Sequence, residues 1–450
     1  RVWPAATNSL LYGFCLQAGL GVGLWLLARL GRTLLVAPVL ITVGAALWNL
    51  GLTIGVAGIL VGDSTGFESL ELPGYSAVML FLGYLLVSFW GVITFHQRVE
   101  RATYASQWFL LAALFWFPWI YSTAELLLVT FPVRGVAQSV IVWWYAANLQ
   151  TVWLGLVGLA TIFYFLPKLT ARPLHSHYLA LFVFWTLMLF GSWSGIPNSA
   201  PVPAWMPVIS TVATVLLLLP ILAVAVSVRG TLQGKYEPAP AATPGVRGDS
   251  SLAPSQGVRE PSEKLPCQYR SLLRTHPSLS FLGVSVASFL LAGLMTVLGT
   301  WFDTAQELHF TWFAVATTQL HLYGFFAMAI FGAVYYILPQ LTRTDWASPK
   351  LVRAHFWLSL LGLLLLVVPL AIGGLIETGQ LLNPNIAFVQ IMKSALTFLR
   401  VSTLGLLLIL VGQVFFLINL VGLVSRFYRS RAMTVYAAAT ADLRVAEVKA

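Results

Sequence analysis

The chain has 450 residues, 58% of them hydrophobic and only 9% charged, which excludes an ordinary soluble protein, where about a quarter of residues carry charge. The net charge of +10 sits in loop Lys and Arg residues, so it bears on membrane orientation rather than on nucleic acid. Cys15 and Cys267 lie far apart, and no CxxC or CxxCH run offers zinc, dithiol or covalent c-type heme chemistry.

In chain order, hydropathy predicts an all-α polytopic transmembrane bundle of about 11 helices. The first seven cover roughly Thr7 to Leu30, Leu35 to Leu60, Tyr75 to Phe95, Tyr104 to Phe131, Val140 to Leu166, Tyr178 to Gly195 and Ala204 to Val228. Pro238, Pro240, Pro244, Pro254, Pro261 and Pro266 then interrupt the pattern among Ala, Gly and Ser, a linker composition. Apolar spans resume at Ser278 to Phe302, Leu308 to Leu338, Leu351 to Ile376 and Ala395 to Leu423. The predicted organisation is a first bundle at 1–228, a cytoplasmic linker at 229–277, a second part of the bundle at 278–425 and a polar cytoplasmic tail at 426–450. The chain opens on Arg1 without an initiator Met, so its start is expected to have been removed or to lie upstream.

Cations fall in alternate loops: Arg29 and Arg32, Arg98 and Arg101, Lys168 and Arg172, then Arg343, Lys350 and Arg353, then Arg426, Arg429 and Arg431. Asp63, Glu68, Glu71, Asp303, Glu307 and Glu377 occupy the opposite loops. By the excess of Lys and Arg on the inner side of membranes, residue 1 is expected outside, and the linker and C-terminus inside.

The fifth predicted helix reads Trp143-Trp144-Tyr145-Ala146-Ala147-Asn148, then Tyr164-Phe165-Leu166-Pro167-Lys168 and Arg172-Pro173. Further motifs are Glu100, Tyr104, Trp108 and Phe109; His309-Phe310-Thr311; Phe331-Gly332-Ala333-Val334-Tyr335-Tyr336 with Pro339; and Arg400 before Leu404-Gly405. Together they resemble catalytic subunit I of the C-family (cbb3-type) heme–copper oxidases, whose fifth-helix pattern is Trp-Trp-Tyr-Gly-His-Asn. The resemblance covers most of residues 1–425 and implies a bacterial inner-membrane protein, one more helix upstream of Arg1, two b-type hemes, copper and cytochrome c oxidase activity.

Residue by residue, the ligands that the resemblance implies are replaced. The copper histidine of the fifth helix falls on Ala147, and the His-His pair after Trp-x-Gly falls among Ile196, Pro197 and Asn198 beyond Trp193-Ser194-Gly195. The first heme ligand falls on Ala6, the His-x-His pair on Thr317 and Gln319, and the active-site tyrosine on Gly191. None of these supplies an imidazole or phenol of the kind heme iron and copper take. This resembles a degenerate member of the family, with no redox cofactor expected at the family sites.

His96, His175, His177, His276 and His355 are read as loop or interfacial side chains, and His309 as lying near an outer helix end. Only His321 lies within an apolar span, which makes it a candidate cofactor ligand, against the plainer reading of a neutral imidazole bonded to a neighbouring helix. Arg400 is the second candidate, since in the family such an arginine lies near heme propionates; its plainer reading is a headgroup contact or a pair with Asp303 or Glu307.

Three functions stay open. The chain is a structural or docking subunit of a respiratory complex, with c-type cytochromes or a complete oxidase as partners; or a heme b protein with displaced ligands that include His321; or a channel or transporter on an oxidase scaffold. Because protein interiors pack densely, Trp153, Phe184, Trp185, Phe190, Phe325 and Phe326 are expected to fill the former cofactor volume, with lipid as the alternative filler.

Overall fold

The structure is a computed structural model and describes residues 1–235, 277–300 and 308–449, with side chains through Tyr436. Most of the expected linker, together with His276, Asp303 and Glu307, lies outside the described residues. Among the described residues there are eleven apolar helices and no strand. They are α1 (Val2–Leu30), α2 (Pro38–Val61), α3 (Gly74–His96), α4 (Ala105–Thr130), α5 (Val136–Thr170), α6 (His177–Gly191), α7 (Trp205–Gln233), α8 (Pro277–Leu298), α9 (Trp312–Thr342), α10 (Pro349–Leu381) and α11 (Phe388–Lys449). Ten are long and apolar enough to cross a membrane, and α6 is a shorter apolar helix. The protein is a multi-pass membrane protein.

The structure refines two expectations about ends. The polar tail expected from residue 426 onward is helical: α11 runs without a break to Lys449, because Ala, Arg, Val and Glu beyond the apolar stretch are adequate helix formers and no Gly or Pro intervenes. Helix α6 stops at Gly191 rather than Gly195, and Gly195 lies beyond it with φ of 102°, a backbone conformation that glycine adopts without strain.

Local signals set the other boundaries. Ser176 and Ser348 accept hydrogen bonds from the backbone N–H groups of Leu179 and Leu351, capping α6 and α10. Tyr104 N–H donates to Gln107 Oε1 at 2.9 Å to open α4. Three helices that end on a cationic loop, α1, α5 and α9, terminate through a left-handed residue, respectively at Arg32, Ala171 and Arg343.

Because lipid tails are as apolar as Leu, close packing rather than exclusion of water must hold such helices together, and small residues permit it. In α2 and α3, a Cβ on Gly83 would lie 2.8 Å from the Gly44 carbonyl oxygen, and one on Gly44 would lie 3.0 Å from the Gly83 carbonyl oxygen. The same device joins α10 to α11, where a Cβ on Gly405 would meet Leu366 N at 2.5 Å and Gly362 O at 2.6 Å. Helix α5 is the most enclosed element, with 83% of its most apolar stretch buried, and α9 follows at 72%. These two helices therefore stand at the centre, with α1 packed on both.

Backbone crowding at Gly405 leaves no room for a side chain. Gly405→Val is expected to separate α10 from α11 and to cost about 1–3 kcal/mol, read as a lower midpoint in detergent unfolding, whereas Leu404→Val on the exposed face leaves the midpoint within error.

Candidate functional site

Helices α1, α5 and α9, which carry most of the expected ligand positions, share a backbone feature. Each contains a widened π-helical turn just beyond one of those positions: Ser9–Leu16 after Ala6, Asn148–Trp153 after Ala147 and Leu320–Ala327 after Gln319. A π turn displaces backbone carbonyls from their regular partners, and such turns concentrate at functional sites.

Each of the three turns has one carbonyl taken up by a side chain of another helix. Trp48 Nε1 donates to Tyr12 O at 3.0 Å, Ser285 Oγ donates to Phe325 O at 2.7 Å, and His321 Nε2 lies 3.0 Å from Gln150 O. A carbonyl only accepts, so His321 Nε2 carries the proton and donates. Its ring also packs edge-on against Phe325, with centroids 5.0 Å apart. The structure thus joins α9 to α5 through this histidine, and the nitrogen engaged with Gln150 is not free to hold iron.

Ala147 lies against Gly195. A Cβ built at Gly195 would overlap the Ala147 methyl and lie 3.3 Å from Trp143 O. The expected copper-ligand position on α5 therefore abuts the glycine just ahead of the expected pair after α6, with a methyl facing that glycine. Asn148, treated in the sequence only as part of a motif, secures this junction. It donates to Trp144 O at 2.9 Å and Ser192 O at 3.2 Å, and accepts from Trp116 Nε1 at 3.2 Å. A polar residue at mid-span was the signal for it.

Around the junction, Gly191 meets Val152, since a Cβ there would lie 2.9 Å from Val152 Cγ2. Ala6 is exposed, and the Thr317 hydroxyl is spent on Phe313 O at 3.0 Å. Gln319 Oε1 and Asn198 Nδ2 are buried without a hydrogen-bond partner among the described residues; one amide oxygen and one amide nitrogen are poor substitutes for imidazoles. The side chains at these positions offer no imidazole to the two hemes and copper that the resemblance implies.

Aromatic side chains fill the interior. Trp153 and Phe326 are fully buried where α1, α5 and α9 meet, Phe325 is fully buried between α5 and Phe289 of α8, and Phe184 is buried against Trp108 and Phe109 of α4. A Cβ at Gly19 would lie 3.0 Å from Trp153 and 3.1 Å from Phe326, and Trp153 Nε1 donates to Tyr84 OH at 2.9 Å. One expected filler is corrected. Trp185 is 60% exposed on the outward face of α6, and Phe190, although half-buried against the core, also lines an apolar groove of about 380 Å³ between α6 and α7. The cause is the face that α6 presents: Ala180, Val183, Phe184 and Leu187 turn inward, so their neighbours turn out.

His355 is also corrected. It is fully buried, not interfacial, and bonds through Nδ1 to Tyr335 OH at 2.8 Å. Arg400 is exposed on α11, and its expected acidic partners lie outside the described residues.

A polar cluster joins α1, α5 and the loop before α3. Tyr12 OH donates to Ser69 O at 2.5 Å, so Tyr145 OH, 2.6 Å away, donates to Tyr12. Asn8 Nδ2 donates to Glu71 Oε2 at 2.8 Å. Burial raises the Glu71 carboxyl above the ordinary range, although the Asn8 bond pulls it back.

Residues 1–408 match the family model for cytochrome c and quinol oxidase polypeptide I. The chain belongs to this family. It is 23% identical over 397 residues to the cytochrome c oxidase subunit 1 homolog of Azorhizobium caulinodans, covering 84% of this chain and 64% of that protein. It is 23% identical over 391 residues to the cbb3-type cytochrome c oxidase subunit CcoN1 of Stutzerimonas stutzeri, covering 84% and 74%, and 24% identical over 349 residues to cytochrome c oxidase subunit 1 of Rhodobacter capsulatus, covering 73% and 58%. The chain thus spans about two thirds of the length of these relatives. The expected helical bundle and oxidase kinship both hold, and the protein is an oxidase-type membrane subunit I homologue.

Two measurements probe these contacts. His321→Leu strands the Gln150 carbonyl and is expected to cost about 1–3 kcal/mol of stability, with most of it restored by His321→Gln. For Glu71, a raised carboxyl binds its proton more tightly in the folded chain than in the unfolded one. Its stability contribution is therefore present below the ordinary Glu value of about 4.3 and is lost as pH rises through the raised folded value. Unfolding midpoints of Glu71→Gln should lack this fall, so the gap between variant and parent widens from acid to neutral pH.

Proposed function

We propose that this chain is a cytochrome c oxidase subunit I-like membrane protein without redox centres of its own, which serves as a structural and docking subunit of a respiratory electron-transfer complex. The observation that carries this reading is the methyl of Ala147 seated on Gly195, where the family resemblance calls for a copper-binding imidazole. A glycine with no space for a larger neighbour, beside an alanine, favours contact over coordination. The buried Trp153, Phe325 and Phe326 support it further, since dense filling of the interior takes up volume that a porphyrin would need.

Fold and chemistry separate readily in evolution because helix packing depends on shape, while redox function depends on a few donor atoms. The kinship with cbb3-type subunits suggests c-type cytochrome subunits or a complete oxidase as partners, in the inner membrane of a bacterium. Alternating loop cations support an outward residue 1 and an inward C-terminus. A displaced-ligand heme protein draws less support, because His321 Nε2 is donated to Gln150 O.

The test is to purify the chain with its bound partners and assay each separated component for pyridine hemochrome and copper. The expected result is heme only in co-purifying cytochrome or oxidase subunits. A stoichiometric Soret band that stays with this polypeptide after the partners are removed overturns the reading.

A further inference from the structure

We propose that one water molecule is bound where α9, α10 and α11 cross, held by Ser359 and Gln413 within reach of His355 Nε2. The site uses none of the expected cofactor ligands and stands independently of the docking-subunit reading.

His355 is boxed by aromatic rings: the centroids of Phe331, Phe281 and Phe416 lie 4.7, 5.3 and 5.5 Å from its own. Tyr335 OH occupies Nδ1 at 2.8 Å. His355 Nε2 and Ser359 Oγ are both buried without a partner among the described residues, and the two side chains are 0% and 5% exposed. Four residues apart on α10, they share a helix face. That face meets Gly412 of α11: a methyl placed there would lie 3.2 Å from Ser359 Oγ and 3.4 Å from His355 Cδ2. The glycine thus lets α11 close directly over both side chains.

Ser359 also lines a cavity of about 10 Å³, whose walls are Tyr323, Ser359 and Gln413 on the polar side and Ala327, Met328, Phe331, Leu363 and Ile409 on the apolar side. That is about the volume a single water needs, and three polar side chains are enough to hold one. No carboxylate lines it, so a neutral occupant suits it better than a cation.

Water also resolves the tautomer accounting. If Tyr335 donates to Nδ1, then Nε2 carries the proton and needs an acceptor. If Nδ1 donates to Tyr335, then Nε2 needs a donor. A water molecule serves in either case, because it does both. The result is a hydrogen-bonded string from Tyr335 through His355 and the water to Ser359 and Gln413, which ties the last helical pair to α9.

The test is a structure of the full chain in lipid nanodiscs at a resolution that shows ordered water, supported by a double-mutant cycle of His355→Phe and Ser359→Ala in detergent unfolding. A density peak at hydrogen-bonding distance from Ser359 Oγ, together with coupling of at least about twofold in the unfolding constant, is expected. A dry site, or Ser359 and His355 bonded directly to protein atoms, overturns the proposal, and neither result depends on a variant folding.

Discussion

Within a bilayer, every backbone N–H and C=O must find a partner inside the protein, because lipid offers none. This constraint explains the interior of the molecule better than any single contact. Three central helices carry π turns that loosen their regular ladders, and each turn has a carbonyl closed by a side chain from a neighbour: Trp48 on Tyr12, His321 on Gln150, Ser285 on Phe325. Proline creates the same need in α9. Pro339 has no N–H for the Tyr335 carbonyl, and Trp346 Nε1 donates to that oxygen at 2.9 Å. Polar residues in the spans therefore act first as menders of the backbone.

The same reasoning reassigns the polar residues at the centre. A histidine or asparagine inside a membrane invites a functional reading, since burial of such groups is costly. Here His321 bonds across to Gln150 of α5, and Asn148 bonds to Trp144 of its own helix as well as to Ser192 and Trp116 outside it. The π turns persist beside Ala6, Ala147 and Gln319, so the backbone retains a form suited to presenting ligands while the side chains at those positions do not. Packing between α1, α5 and α9 then falls to Trp153 and Phe326.

Family membership accounts for the scaffold and leaves the chemistry to individual atoms. The match over residues 1–408 agrees with helices that follow one another much as hydropathy predicts. Oxidase function, in contrast, would turn on a handful of nitrogen donors, and the positions expected to supply them hold Ala, Thr, Gln and Asn. Sequence kinship at 23% identity preserves helix order far more readily than it preserves such a set.

Hydropathy alone placed the spans, because about twenty apolar residues are needed to cross the bilayer whatever surrounds them. The motif around Trp143 to Asn148 likewise disclosed the kinship, since that is a matter of residue identity. What the chain order did not disclose was facing. Cations at Lys350 and Arg353 marked His355 as interfacial, yet Phe281, Phe331 and Phe416 arrive from three other helices to enclose it. Trp185 read as core, yet α6 turns its other face inward. The partner of His321 lies 171 residues away in the chain. Such outcomes belong to tertiary structure, because a helix's period restricts which residues share a face but only its neighbours decide which face is covered.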